Sequence, residues 1–130
     1  MAHPNETLLR EGIAAFQAGD MDKLKTFMAE DIVLHVPGTN KLSGDYKGQG
    51  EVLGTFFPTI MQLTGGDFKL DRHDSLANDE HGIGVYDMHA GRDGKTFEWN
   101  QVNVYHLKNG KFAEAWVNIH QFEAWNKFFS

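Results

Sequence analysis

Cysteine is absent from this chain of 130 residues, which removes disulfides, thiol nucleophiles and thiolate metal sites together. Proline occurs only three times, and neither a low-complexity tract nor a linker interrupts the sequence. No window approaches the roughly 18 uninterrupted apolar residues of a membrane span. Basic residues are outnumbered, 12 Lys and Arg against 18 Asp and Glu, for a formal net charge of −6. That balance argues against a nucleic-acid or anionic-membrane surface, which needs clustered cations. The segment Met1–Thr7 has no basic region and no signal-type apolar run, so a reducing, cytoplasmic setting is expected. The seven histidines are scattered and form no H-x-x-x-H or H-E-x-x-H pair, so no metal site is expected. A G-x-S-x-G elbow, a P-loop and a strand-borne G-x-G-x-x-G are also missing, and no cofactor is expected.

Aromatic side chains are well represented. Ten Phe and three Trp bring the aromatic share to 12%, material for a dense core or for the walls of an apolar pocket. The length suits one domain, residues 1–130. The front half reads as helical. Leu8, Leu9, Ile13 and Phe16 recur at helical spacing, Gly19-Asp20 supplies a stop and an N-cap, and a second helix runs from Met21 to about Ala29. A short strand, Asp31–Val36, carries His35 and stops at Pro37-Gly38. A third helix is expected from about Gln49 to Leu63, kinked by Pro58 and ended by Thr64-Gly-Gly66. The back half reads as a meander of strands near 67–76, 81–90, 96–107 and 111–120, with Asp93-Gly94 and Asn109-Gly110 as hairpin dipeptides. The aromatic tail, 121–130, has near-helical spacing and is expected to pack back on the body. Helices first and antiparallel strands after them make an α+β arrangement.

Particular residues sharpen this order of elements. Ala18-Gly-Asp20, Ala29-Glu-Asp31, His35-Val-Pro-Gly38, Leu42-Ser-Gly44, Gly48, Leu76-Ala-Asn-Asp-Glu-His81, Arg92-Asp-Gly94 and Glu114-Ala-Trp116 together resemble the SnoaL-like branch of the nuclear-transport-factor-2-like superfamily. That superfamily includes ketosteroid isomerases and polyketide cyclases. The resemblance spans nearly the whole chain. It implies a cone-shaped NTF2-like (cystatin-like) fold, in which three N-terminal helices wrap a curved antiparallel sheet around a pocket. It also implies a small-molecule ligand and a homodimer formed through the outer face of the sheet. Fold does not select a reaction, because the superfamily hosts both enzymes and non-catalytic modules.

The resemblance also nominates site residues. His35 falls where the isomerases keep an aspartate general base, and an imidazole with an unperturbed pKa near ~6.5 exchanges protons close to neutrality. The competing reading is a histidine held by a hydrogen bond at the end of a core strand. Asn103 falls where the isomerases carry a protonated aspartic acid that donates to an enolate, an arrangement familiar from ketosteroid isomerase. Strand alternation places Phe97, Trp99, Gln101, Asn103, Tyr105 and Leu107 on one face, so Gln101 is a second donor candidate. The alternative for Asn103 is a cross-sheet hydrogen bond. Gly12 stands where the isomerases have an oxyanion-hole tyrosine, which disfavours steroid isomerisation. Relative to Trp116, His120 lies near the acid/base aspartate of SnoaL-type cyclases, or else it caps the tail helix. Phe56, Phe57, Trp99, Gln101, Tyr105, Trp116 and Asn118 are candidate ligand contacts. Asp87 and Arg92 lack the third member of the superfamily's epoxide-hydrolase constellation. The expectation is therefore a ligand-binding cone with possible proton-transfer chemistry, as isomerase or aldol-type cyclase, using His35, Asn103 and His120. A non-catalytic binding or dimerisation module is the rival.

Overall fold

Helix α1 (Pro4–Gln17) opens the chain in the computed structural model, which describes residues 2–130. The His3 ring caps it, accepting from the Asn5 N–H at 3.0 Å, and Pro4 occupies the first turn, where no N–H donor is missed. Gly19, at φ +70°, lets the chain turn into α2 (Met21–Thr26), and the Asp20 carboxylate caps that helix through the Lys23 N–H at 3.1 Å.

Helix α2 ends at Thr26, short of the Ala29 expected from periodicity. The Phe27 carbonyl accepts from Phe112 N–H at 2.8 Å, and Met28 already pairs with Phe112, so sheet bonds capture the backbone there. Strand β1 (Met28–Val36) is accordingly longer than the Asp31–Val36 segment read from sequence. The four-residue edge strand β2 (Gly44–Lys47) follows, antiparallel to β1.

The third helical segment departs from regularity in an explicable way. A short α3 (Gly48–Glu51) passes into a π-helical turn, Val52–Phe56, before α4 (Phe57–Thr64). The Phe57 N–H reaches back five residues to the Val52 carbonyl. Pro58 then sits in the first turn of α4, where a helix tolerates a missing donor. The kink expected at Pro58 thus takes the form of one widened turn just before it. Gly65, in the left-handed region at φ +60°, ends α4 by donating to Met61.

Strands β3 (Phe68–Ala77), β4 (His81–Arg92), β5 (Lys95–Lys108) and β6 (Lys111–Ile119) complete the sheet, and α5 (Phe122–Phe128) closes the chain. Asp93-Gly94 and Asn109-Gly110 both have positive φ at both positions, as hairpin turns of that type require. The strand order is β2-β1-β6-β5-β4-β3, antiparallel throughout except for the β1–β6 pair. This is the α+β, NTF2-like architecture expected from the sequence: a curved six-stranded sheet with helices on one face. Helix α1 lies across β3 and β4, seated by glycine. A Cβ at Gly82 would come within 2.7 Å of the Leu9 side chain.

Register decides which side chains face the helices. One extra residue, Ala113, is bulged out of β6: Leu107 pairs with Phe112 but His106 pairs with Glu114. A bulge reverses parity, so Phe112 points inward and so do Ala115 and Val117, while Glu114, Trp116 and Asn118 point outward. A second shift at His73 does the same in β3.

Candidate interior ligand site

The helices and the inner sheet face enclose a hollow of about 130 Å³. Its walls are apolar almost everywhere. Helix α1 supplies Ile13 and Phe16, the π-turn and α4 supply Val52, Phe56, Phe57 and Ile60, and β1 supplies Ile32, Leu34 and Val36. Met88, Phe112, Val117 and, from α5, Trp125 close the remainder. Gly12 also faces the hollow: the Phe112 ring fills the space beside it, 2.9 Å from where a Cβ would be.

Three polar side chains line the hollow, all from β5: Gln101, Asn103 and Tyr105, each only 8% exposed. Alternation brings them to one face, and they form a continuous row. Trp99 Nε1–H donates to Gln101 Oε1 at 3.0 Å, Gln101 Nε2–H to Asn103 Oδ1 at 3.0 Å, and Asn103 Nδ2–H to the Tyr105 hydroxyl at 3.1 Å. The row ends at Tyr86, whose hydroxyl lies 2.8 Å from that of Tyr105. Burial raises the pKa of both phenols above the ordinary value, so both are neutral across the physiological range. The row carries no charge, and such chains of hydrogen bonds polarise one another in a low dielectric.

The structure brings together Phe56, Phe57, Gln101, Asn103 and Tyr105 as wall residues, with Trp99 buried behind Gln101 as its orienting donor. It does not bring His35 to them. Ile32, Leu34 and Val36 hold the inward parity of β1, and His35 therefore faces outward. There its Nδ1 lies 2.7 Å from Asp45 and its Nε2 2.5 Å from Glu114, and its ring stacks on Trp116 at 5.5 Å. Chiefly the Glu114 bond, then the Asp45 bond, raises its pKa, against a smaller opposing effect of burial. The expected placement of His35 as a pocket base is thus corrected: it braces β2, β1 and β6 on the outer face. Trp116 and Asn118 are corrected with it, because the Ala113 bulge turns both outward. His120 is exposed beyond the end of β6, in an open depression with His73 and Asp87, and does not reach the hollow.

Other side chains resolve open points. His89 and His106 both take the outer face; His89 bonds Asp67 at 3.0 Å, and His106 stacks on His81 at 5.5 Å. Arg92 donates to the carbonyls of Phe128 and Ser130 and not to Asp87. Sequence reasoning passed over Trp125, Phe112 and Met88 as wall residues. The aromatic spacing of the tail was a signal for Trp125, whereas Phe112 depended on the invisible bulge. Among the described residues, no three His, Asp or Glu side chains converge as a metal-binding set, and no helix is long and apolar enough to cross a membrane.

Fold and site together define an NTF2-like cone with an interior apolar hollow. The chain belongs to the SnoaL-like domain family, whose model matches residues 9–115. The uncharacterized protein Rv0034 of Mycobacterium tuberculosis (strain ATCC 25618 / H37Rv) is 30% identical over 107 residues, covering 82% of this chain and 81% of its own. Among solved structures, Bal32a from a soil-derived mobile gene cassette is 31% identical, with a TM-score of 0.93 over 99% of this chain and 98% of that one. TerC, co-crystallized with polyporic acid, shares the fold at 16% identity, with a TM-score of 0.84 over 98% of this chain and 100% of its own.

Proposed function

We propose that the protein binds a small, neutral, mostly apolar molecule in its interior hollow, without general acid–base chemistry from its own side chains. The observation that carries this reading is the wall itself: aliphatic and aromatic groups, interrupted only by the uncharged row Gln101–Asn103–Tyr105. An apolar cavity of roughly 150 Å³ takes up benzene, so a hollow of this size suits about one ring. A steroid-sized ligand would need the walls to part. Proton abstraction near neutral pH requires a group that titrates there, and both imidazoles nominated for that work, His35 and His120, lie outside the hollow. TerC, of the same fold, was co-crystallized with polyporic acid, which supports the cone as a place for ligands.

Isothermal titration with isopropylbenzene tests the reading. Saturable one-to-one binding is expected, accompanied by a change in tryptophan fluorescence because Trp125 forms part of the wall. Val117→Phe should fill the hollow and abolish the signal. No binding by the parent protein, or equal binding by the filled variant, overturns the proposal.

The same reading includes a homodimer through the outer sheet face. Support comes from Leu76, Ile83, Val102 and Trp116, which are 55%, 38%, 37% and 36% exposed on one side of the sheet. Large apolar side chains gathered on one face mark an interaction surface.

A further inference from the structure

We infer that the hollow selects a neutral carbonyl compound of about one ring, its oxygen held by spare hydrogens of Gln101, Asn103 and Tyr105. The inference rests on the hollow being a binding site, and it follows from an inventory of hydrogens.

An indole nitrogen donates and never accepts, so Trp99 obliges Gln101 to present its oxygen. The Gln101 nitrogen must then face Asn103 Oδ1, and the Asn103 nitrogen must face Tyr105. The donor-only end of the row therefore settles both amide orientations. Each amide nitrogen carries two hydrogens and uses one in the row, leaving one apiece without an acceptor among the described residues.

The tyrosine pair adds a further donor. Its two oxygens share one hydrogen across 2.8 Å, and one hydroxyl hydrogen remains. Tyr86 is fully buried behind the wall and, among the described residues, hydrogen-bonds only to Tyr105, whereas Tyr105 faces the hollow. Tyr86 therefore donates to Tyr105, and Tyr105 turns its own hydrogen inward. Three consecutive same-face residues of β5 thus offer donors to a space whose other walls, among the described residues, offer no side-chain acceptor.

Buried donors without acceptors are unfavourable, and a ligand oxygen that accepts from them relieves the deficit. A carboxylate is disfavoured because the wall supplies no cation to offset its desolvation. A protonated amine is disfavoured because the wall, among the described residues, supplies no carboxylate to offset its desolvation. Ketones, esters and similar carbonyls remain.

The test compares acetophenone with its near-isostere isopropylbenzene and with benzoate, following the side-chain amide resonances of Gln101 and Asn103 by NMR. Acetophenone should bind about tenfold more tightly than isopropylbenzene, as one net hydrogen bond allows. It should move both amide resonances, and benzoate should not bind. Asn103→Leu removes one of the three donors and should narrow the gap between the two neutral probes. The amide shifts in the unaltered protein keep the inference exposed to refutation should that variant not fold. Equal affinity for acetophenone and isopropylbenzene in the parent protein, or binding without movement of the amide resonances, overturns the carbonyl selection and leaves the hollow as a binding site. Binding of neither neutral probe overturns the binding site itself and this inference with it.

Discussion

His35→Gln should lower stability at mildly acidic pH and leave it nearly unchanged at alkaline pH. The wild-type imidazole lies between two carboxylates, at 2.7 Å from Asp45 and 2.5 Å from Glu114. Both bonds can be donated at once only by the imidazolium, and the pKa is raised accordingly. The sign follows from linkage. A folded-state pKa above the unfolded value of ~6.5 means stabilisation that is complete below ~6.5 and lost as pH rises through the folded pKa. The His35 side chain is 29% exposed, Asp45 58% and Glu114 34%, so solvent screens both pairs. Partly exposed ion pairs contribute ~0.2–1 kcal/mol each, which sets the wild-type advantage at about 1 kcal/mol in total. For a chain of this length that is a difference of about 4 °C in Tm. Glutamine keeps a polar group at the position and does not titrate. Thermal melts of both proteins between about pH 5 and about pH 9 should show a gap that closes as the pH rises. A gap that is constant or widens with pH would refute the assignment of His35 as a protonated brace.

Other perturbations probe different parts of the molecule. Gly84→Ala would place a Cβ 2.0 Å from the Tyr86 hydroxyl oxygen, displacing the ring and breaking the buried tyrosine pair. Urea denaturation should show a loss of about 3 kcal/mol, and a loss below about 1 kcal/mol would contradict the packing described. Trp99→Phe removes the donor that orients Gln101, leaving a buried amide oxygen unmet. It should destabilise by about 1–3 kcal/mol and shift the Gln101 side-chain amide resonance, and an unmoved resonance would show that the indole does not orient the row. Trp116→Lys introduces a charge on the exposed apolar face. Sedimentation velocity should find the wild type dimeric and this variant monomeric; a monomeric wild type ends the dimer proposal.

Much of the fold is legible in the sequence because its signals are local. The two hairpin dipeptides, the Gly19-Asp20 stop and cap, and the alternation along β5 each act over a few residues. Gln101, Asn103 and Tyr105 were readable as one face for the same reason: β5 pairs with β4 without a register shift across them. His35 was readable too, since Ile32, Leu34 and Val36 share the parity opposite to it. The likeness to the isomerases drew the side chain inward against that local signal. Trp116 and Asn118 were different. Their facing depends on one extra residue at Ala113, which nothing in the local sequence marks, and every side chain beyond it changes side. Strand β2 was hidden because Gly44, Asp45 and Lys47 read as turn residues, and only pairing with β1 makes them a strand.

The central claim is a mostly apolar hollow, open to small molecules, behind α1 and the π-turn. Diffraction from crystals held under xenon tests it most directly, because xenon occupies apolar cavities and ignores polar clefts. The account predicts one strong xenon peak between Phe56, Ile60, Met88 and Val117. Xenon peaks confined to the protein surface, with those side chains closed upon one another, would contradict it.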